Sequence, residues 1–287
     1  MREEKRRVLS ILTALALTLG LCTPLGGLLP EAEAAEIVDS GQCGAGLTWK
    51  FDSNGTMTIS GTGEMYYYYD YGIPWNDYRA QIKKLVVESG VTSIYDNTFD
   101  DCYNMESLTI ADTVTYIGDG AFEDCKKLRE VYLPDSITEL GSDVFNNCIS
   151  LESVNIPSRI TTIPSDAFSC CCFSSIVIPD TVTNIGNGAF DAVSELSSIT
   201  LPDGLTWMGE FAFSSTDLES IRIPDGMTEI AQNAFMSCDK LKTVILPKSI
   251  TDMECIRGLL QYSGCIFCRQ RRRMGCDRGR IVQSAAA

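Results

Sequence analysis

The sequence predicts a mainly β repeat solenoid, in which short strands, turns and short helical segments coil and stack along one axis. Three observations predict it. Phe99, Phe122, Phe145, Phe168, Phe190, Phe213 and Phe235 follow one another at intervals of 23, 23, 23, 22, 23 and 22 residues. The strings "LREVYLP", "LESVNIP", "FSSIVIP", "LSSITLP", "LESIRIP" and "LKTVILP" begin at 128, 151, 173, 196, 218 and 241. Each is followed by an apolar-Thr-x-apolar step, as in "ITEL" and "VTNI", and usually by "AF". Self-similarity at a fixed short period is the signature of a stacked repeat array.

The chain opens on a secretion-like segment. "MREEKRR" is basic, "VLSILTALALTLGLC" is apolar, and Ala32 and Ala34 supply small residues for cleavage near Ala34 or Ala35. Residues 1–35 are therefore read as a signal peptide. The apolar stretch is short for a retained membrane span, and Leu21 is a poor residue before a lipid-bearing Cys22. The mature chain is expected to be secreted, with no membrane span after cleavage.

Residues 36–81 read as an N-terminal cap. "LTWKF" and "TMTIS" alternate around "DSNG", a hairpin with Asn54-Gly55 at the turn. An end coil leaves apolar surface and open strand edges, so a hairpin belongs there. The aromatic run "YYYYDYGIPW" follows, and several of its rings are expected to cover the first coil while one or two stay exposed.

Residues 82–253 hold the array itself, about eight repeats of 22–23 residues, with "IKKLVVE" and "MESLTIA" as its weakest copies. In "LREVYL" Val131 and Leu133 face inward and Tyr132 outward, by the alternation of a strand. Pro134 then ends the pairing, because it has no N–H to donate. One repeat cannot bury its own apolar face, so neighbours must stack, giving a rod of about 40 Å at strand spacing. Thr92, Thr115, Thr138, Thr161, Thr183, Thr206, Thr228 and Thr251 are expected to form a structural row along it.

"IGDGAFEDCKKLREVYLPDSITEL" resembles the BspA-like leucine-rich repeat of bacterial secreted and cell-surface proteins. The segment from "SGQCGAGLTWKF" to "VESGVTSI" is similar to the stretch that often precedes such repeats. What the resemblance implies is a curved, right-handed superhelix outside the cell that binds other macromolecules. The role it implies is adhesion to host matrix or neighbouring-cell components.

Composition narrows the chemistry. The chain has no histidine, which removes His-based acid–base pairs, His-activated nucleophiles and His-ligated metals. Residues 36–253 carry 12 basic and 32 acidic side chains, an acidic body that argues against nucleic acid and anionic membranes as partners. No catalytic constellation is recognised and no cofactor is expected.

The candidate binding surface is the outward ladder of the strands: Val86, Thr109, Tyr132, Asn155, Val177, Thr200, Arg222 and Ile245. Its mix of aromatic, amide, aliphatic and cationic groups suits an extracellular protein partner better than catalysis. An alternative is a glycan partner stacked on Tyr66, Tyr67, Tyr68, Tyr69 and Trp75. Cys102, Cys125, Cys148, Cys171 and Cys238 each sit three residues after a repeat Phe. Val193 and Thr216 stand at the same register, so these are expected to be buried free thiols filling the core, with "CCC" at 170–172 the place where that could fail. Asp135, Asp180, Asp203 and Asp225 follow the repeat prolines and are read as solvated turns rather than calcium ligands.

The repeat register is lost after Met253, where the next Phe is due and Gly258 stands instead. Residues 254–287 carry seven Arg, no Lys and the stretch "CIFCRQRRRMGC". Only Cys265 and Cys268 have knuckle spacing, which is weak for zinc. One permitted codon choice for Gly264–Arg278, shifted by a nucleotide, reads Asp-Val-Tyr-Phe-Ala-Gly-Ser-Glu-Glu-Glu-Trp-Asp-Ala-Ile, an acidic peptide with a Val-Tyr-Phe strand. This tail is accordingly read as frameshifted or disordered and outside the fold, with a natural cap and any anchor following in the other frame.

Overall fold

The computed structural model describes residues 35–68 and 72–250, together with the backbone of a strand at Ile266–Arg269. The secretion-like segment, Tyr69, Thr251 and most of the Cys/Arg-rich tail lie outside the described residues.

The cap is a three-stranded antiparallel meander of β1 (Ile37–Gln42), β2 (Leu47–Asp52) and β3 (Thr56–Gly61). The expected hairpin is β2–β3. Its turn is held by Asp52, whose Oδ1 accepts the N–H groups of Asn54 and Thr56 at 2.9 Å each, with Gly55 at φ +83°. Sequence reading missed β1, because "IVDSGQ" does not alternate; its burial shows no inward face. On its other edge β3 pairs in parallel with Lys84–Val87, which pairs with Ser107–Ile110. The hairpin is thus the first rung of the solenoid, and Met57 and Ile59 continue the buried side of the stack.

Two parallel ladders run on from the cap. The strand-face ladder continues through pairs such as Ser175–Val177 with Ser198–Thr200 and Ser220–Arg222 with Thr243–Leu246. The second ladder joins Gly63–Glu64, Val91–Ile94, Tyr116–Ile117 and Glu139–Leu140, then Thr162–Ile163, Asn184–Ile185 and Trp207–Met208. On the strand face, from Glu130–Val131 onward, a proline follows each described strand of the array and ends its pairing. The carbonyl of Pro134 accepts the N–H of Ile137 at 3.1 Å, and Pro157, Pro179, Pro202 and Pro224 do the same three residues on. The Asp row of the sequence falls in these turns.

The repeat phenylalanines form one column between the ladders. Neighbouring centroids lie 5.2–6.0 Å apart with planes 8–12° from parallel, and all seven rings are buried. Thr115, Thr138, Thr183 and Thr206 point their hydroxyls to the threonine carbonyl of the preceding coil, at 3.2–3.3 Å.

Two expectations need correction. Among the described residues the only helix is a 3₁₀ turn at Asn76–Gln81, ahead of the array, so the repeats carry no helical segments. Their third side is turns, each with a residue in left-handed conformation: Asp101, Asp124, Asn147, Cys170, Ala192, Ser215 and Ser237, at φ 55–60°. From that conformation the N–H reaches a carbonyl of the next coil, as Asp101 does with Glu123 at 2.9 Å, instead of one in its own coil. Bonds that would wind a helix are spent between coils. Secondly, the tail is not wholly outside the fold. Ile266–Arg269 pairs in parallel with Thr243–Leu246, with Ile266 opposite Thr243, so the ladder extends one coil past the expected end.

Candidate functional site

The outward row on the strand ladder is real as geometry. Val86 opposes Thr109, Val177 opposes Thr200, and Arg222 opposes Ile245 across adjacent strands. Strand alternation exposes them: Tyr132 is 71% and Val177 83% exposed, while Val131, Leu133, Ile176 and Ile178 beside them are buried. Thr109, Thr200 and Arg222 are also exposed; Val86, Asn155 and Ile245 are half-buried.

A groove of about 580 Å³ opens over this face, floored by Ser175–Ile178 and Ser198–Pro202 and walled by Asp180, Asp203 and Arg222. Arg222 donates to Asp203 Oδ1 at 2.9 Å and lies 3.9 Å from Asp225 Oδ2. Two rows read separately in the sequence, the outward ladder and the post-proline aspartates, therefore meet at one place. Sequence reading missed that junction. The available signal was Asp203, which follows Thr200 by three residues and so turns back beside the next coil's outward residue. The pair is exposed, so it contributes little to stability and leaves Arg222 able to exchange Asp203 for a partner's carboxylate.

Asn155 belongs to the scaffold more than to the surface. Its Nδ2 donates to Leu133 O and its Oδ1 accepts the Leu133 N–H, both at 2.8 Å. The side-chain amide thereby stands in for a strand backbone where the ladder is otherwise short.

The aromatic run divides. Tyr66 and Tyr67 are 44% and 43% exposed, and Tyr68 is half-buried against the core. Trp75 is fully buried, with its indole N–H on Thr98 O at 3.0 Å and its ring stacked on Phe99. It offers no face to a sugar, which corrects the reading that placed it in a glycan site. It stands 24 residues before Phe99, a spacing that marks it as the head of the phenylalanine column.

Cys43, Cys102, Cys125, Cys148, Cys170, Cys171 and Cys172 are free thiols. Cys125, Cys148, Cys171 and Cys238 point their thiols at the carbonyls of Phe99, Phe122, Phe145 and Phe213, 3.0–3.4 Å away. Burial pushes Cys102 up to about 12, and Cys125 and Cys171 are raised by the same cause, so none of the three is a thiolate at neutral pH. Among the described residues no group of His, Cys, Asp or Glu is arranged to hold a metal ion, and no helix is long and apolar enough to cross a membrane.

The profile of the BspA type leucine rich repeat region matches residues 78–190 and 161–255, in six copies, more than half of the chain. The chain belongs to this family. A solved leucine-rich repeat protein from Bacteroides ovatus is 23% identical, over 71% of this chain and 64% of that one, with a TM-score of 0.58. The chain thus spans less than two thirds of that protein's length, and the likeness shows the fold. Leucine-rich repeat proteins from Eubacterium ventriosum (25% identity, covering 72% of each chain, TM-score 0.38) and a leucine rich cell surface protein from Faecalibacterium prausnitzii (20%, covering 74% and 90%, TM-score 0.39) are also similar. No curated protein matches the chain. Membership in this repeat family accords with a protein-binding role, since a solenoid presents one extended face along its whole length.

Proposed function

We propose that this leucine-rich repeat chain is a secreted or cell-surface adhesion module that binds an extracellular protein on its strand face and performs no catalysis. The observation that carries the reading is the groove over Val177 and Thr200, with a bare valine on its floor and Arg222 at its wall. An isolated aliphatic side chain 83% exposed beside a switchable cation is a contact surface, apolar at the centre and polar at the rim. The basic and apolar opening of the chain supports export. The acidic body favours a partner with a basic rim around its own apolar patch.

The test is binding of the purified chain to immobilised matrix proteins, such as fibronectin, collagen and laminin, and to neighbouring-cell surface extracts. The reading expects a ligand whose binding drops at least tenfold with Val177→Asp and with Arg222→Glu, while Tyr66→Ala and Tyr67→Ala leave it unchanged. The second reading, a glycan ligand, rests on the exposure of Tyr66 and Tyr67 alone among the described residues. A glycan array in which those two substitutions abolish a signal that Val177→Asp retains would select it instead.

A further inference from the structure

The second ladder carries a notch that the strand-face reading does not use. Along its outward side Glu64, Ser93, Tyr116 and Glu139 oppose one another on successive strands. Ser93 is the smallest of the four, and over it opens a depression of about 280 Å³ lined by Glu64, Thr92, Ser93, Tyr95, Thr115 and Tyr116. Tyrosines step across it. The rings of Tyr67 and Tyr95 lie 5.5 Å apart edge to face, and those of Tyr95 and Tyr116 lie 5.7 Å apart at 57°.

Every tyrosine hydroxyl here is already spent on a carboxylate. Tyr67 donates to Asp96 Oδ2 at 2.7 Å, Tyr116 to Asp96 Oδ1 at 3.4 Å, and Tyr95 to Glu64 Oε2 at 3.1 Å. Asp96 Oδ1 also accepts the Asp119 N–H at 2.9 Å. What the notch leaves open is therefore ring faces and acceptor oxygens. One further group points to an absent ligand. Ser93 is 4% exposed, lines the notch, and has a buried Oγ with no hydrogen-bond partner. Its neighbour is the Tyr95 hydroxyl, which donates to Glu64 and whose pKa Ser93 lowers, but Ser93 Oγ reaches no partner in good hydrogen-bond geometry. A buried hydroxyl in that condition is costly and calls for an occupant.

The local field selects the charge of that occupant. Burial, then Asp96, Asp119 and Glu139, push Tyr116 up to about 12; burial and Glu64 raise Tyr95. No basic group is among the causes in either case. A neutral sugar would gain little from such a field, whereas a cation gains from both the carboxylates and the ring faces.

We propose that this notch binds an organic cation, an ammonium or guanidinium group on an alkyl arm, with Tyr95 and Tyr116 packing on the charge and Glu64, Asp96 and Ser93 Oγ accepting its N–H bonds. The same chemistry is presented by a lysine or arginine side chain of a peptide and by a free polyamine.

Calorimetric titration of the full chain at low salt separates these sources, with hexalysine, spermidine and neutral maltohexaose as probes. The expected result is saturable binding of a cationic probe and none of maltohexaose. Binding of hexalysine alone assigns the site to a peptide, of spermidine alone to a free amine, and of both to the shared group. Glu64→Gln keeps an acceptor for Tyr95 but removes the charge, and should weaken binding about tenfold; Tyr116→Leu should do the same. Glu195→Gln removes the same charge from an exposed position outside the notch and should change nothing. The proposal is overturned if neither cation binds, if Glu64→Gln and Glu195→Gln weaken binding equally, or if maltohexaose binds in place of the cations. Glu64 is exposed, so its substitution leaves folding intact, and circular dichroism of each variant checks this.

Discussion

Trp75 stacks on Phe99 with ring centroids 5.3 Å apart and planes 13° from parallel. The indole thus occupies the place a phenylalanine would hold in a coil preceding the array, and it ties the cap to the column. Around it Trp49 and Tyr68 pack edge-on at 5.7 and 6.0 Å. Trp75→Ala is expected to cost about 3–5 kcal/mol, as large-to-small core substitutions of this size do. Tyr66→Ala, at an exposed ring a few residues away, should fall within about 0.5 kcal/mol. Urea unfolding of the two variants checks the contrast, and equal effects would refute the capping role.

Asn155 offers a second test. Both of its hydrogen bonds go to one backbone, that of Leu133. Asn155→Ala leaves a donor and an acceptor of the ladder without partners and should cost about 1–3 kcal/mol. Thr200, two places along the same outward row, makes no such bridge in the ladder, and Thr200→Ala should cost clearly less. Amide exchange at Leu133 is the direct readout: protection there should drop in Asn155→Ala.

Left-handed residues predict a gain. Ala192 sits at φ 56° at a register where other coils place Asp, Asn, Ser or Cys, and its side chain has no polar group to compensate. Left-handed backbone costs a non-glycine residue about 1–2 kcal/mol, part of which glycine returns as lost chain entropy. Ala192→Gly should therefore stabilise the protein by about 0.5–1 kcal/mol. A lower unfolding midpoint in this variant would contradict the assignment.

Carboxylates along the turn side set the response to pH. Glu123, Asp143 and Asp166 are each held above the usual carboxylate range, by burial first and then by acidic neighbours such as Asp143, Asp119 and Asp191 respectively. A raised folded-state pKa means that the folded chain takes up protons before the unfolded chain does as pH falls. These groups therefore destabilise the fold at neutral pH, and stability should rise as pH drops through their folded values. Asp135 opposes them, because the Ser158 N–H holds it low and its contribution is lost only at more acidic pH. Thermal melts at pH 7 and pH 5.5 should show the higher midpoint at pH 5.5, with the difference reduced in Glu123→Gln/Asp143→Asn.

The thiol column gives a last prediction. Cys125 and Cys148 are 0% exposed and Val193 fills the same register elsewhere. Cys125→Val should change stability by less than about 1.5 kcal/mol. A thiol reagent should leave Cys125 unlabelled in the native protein and label it on unfolding, as peptide mapping would show.

The repeat was legible in the sequence because its signals are local. Seven phenylalanines at a near-constant interval, inward residues two apart, and a proline after the strand string from "LREVYLP" onward set the coil length, the buried side and the strand ends before any contact is known. What the sequence left open depends on partners one coil or more away. Whether the third side winds into helix was decided by left-handed residues such as Asp101, whose N–H bonds the next coil. Whether Trp75 faces solvent or Phe99 was decided by the cap closing over the first coil. The meeting of Arg222 with Asp203, and of Tyr95 and Tyr116 with Glu64 and Asp96, arises from stacking separate coils in register. Periodicity determines a coil; only the stack decides which side chains share a surface, since those contacts join residues about twenty or more positions apart in the chain.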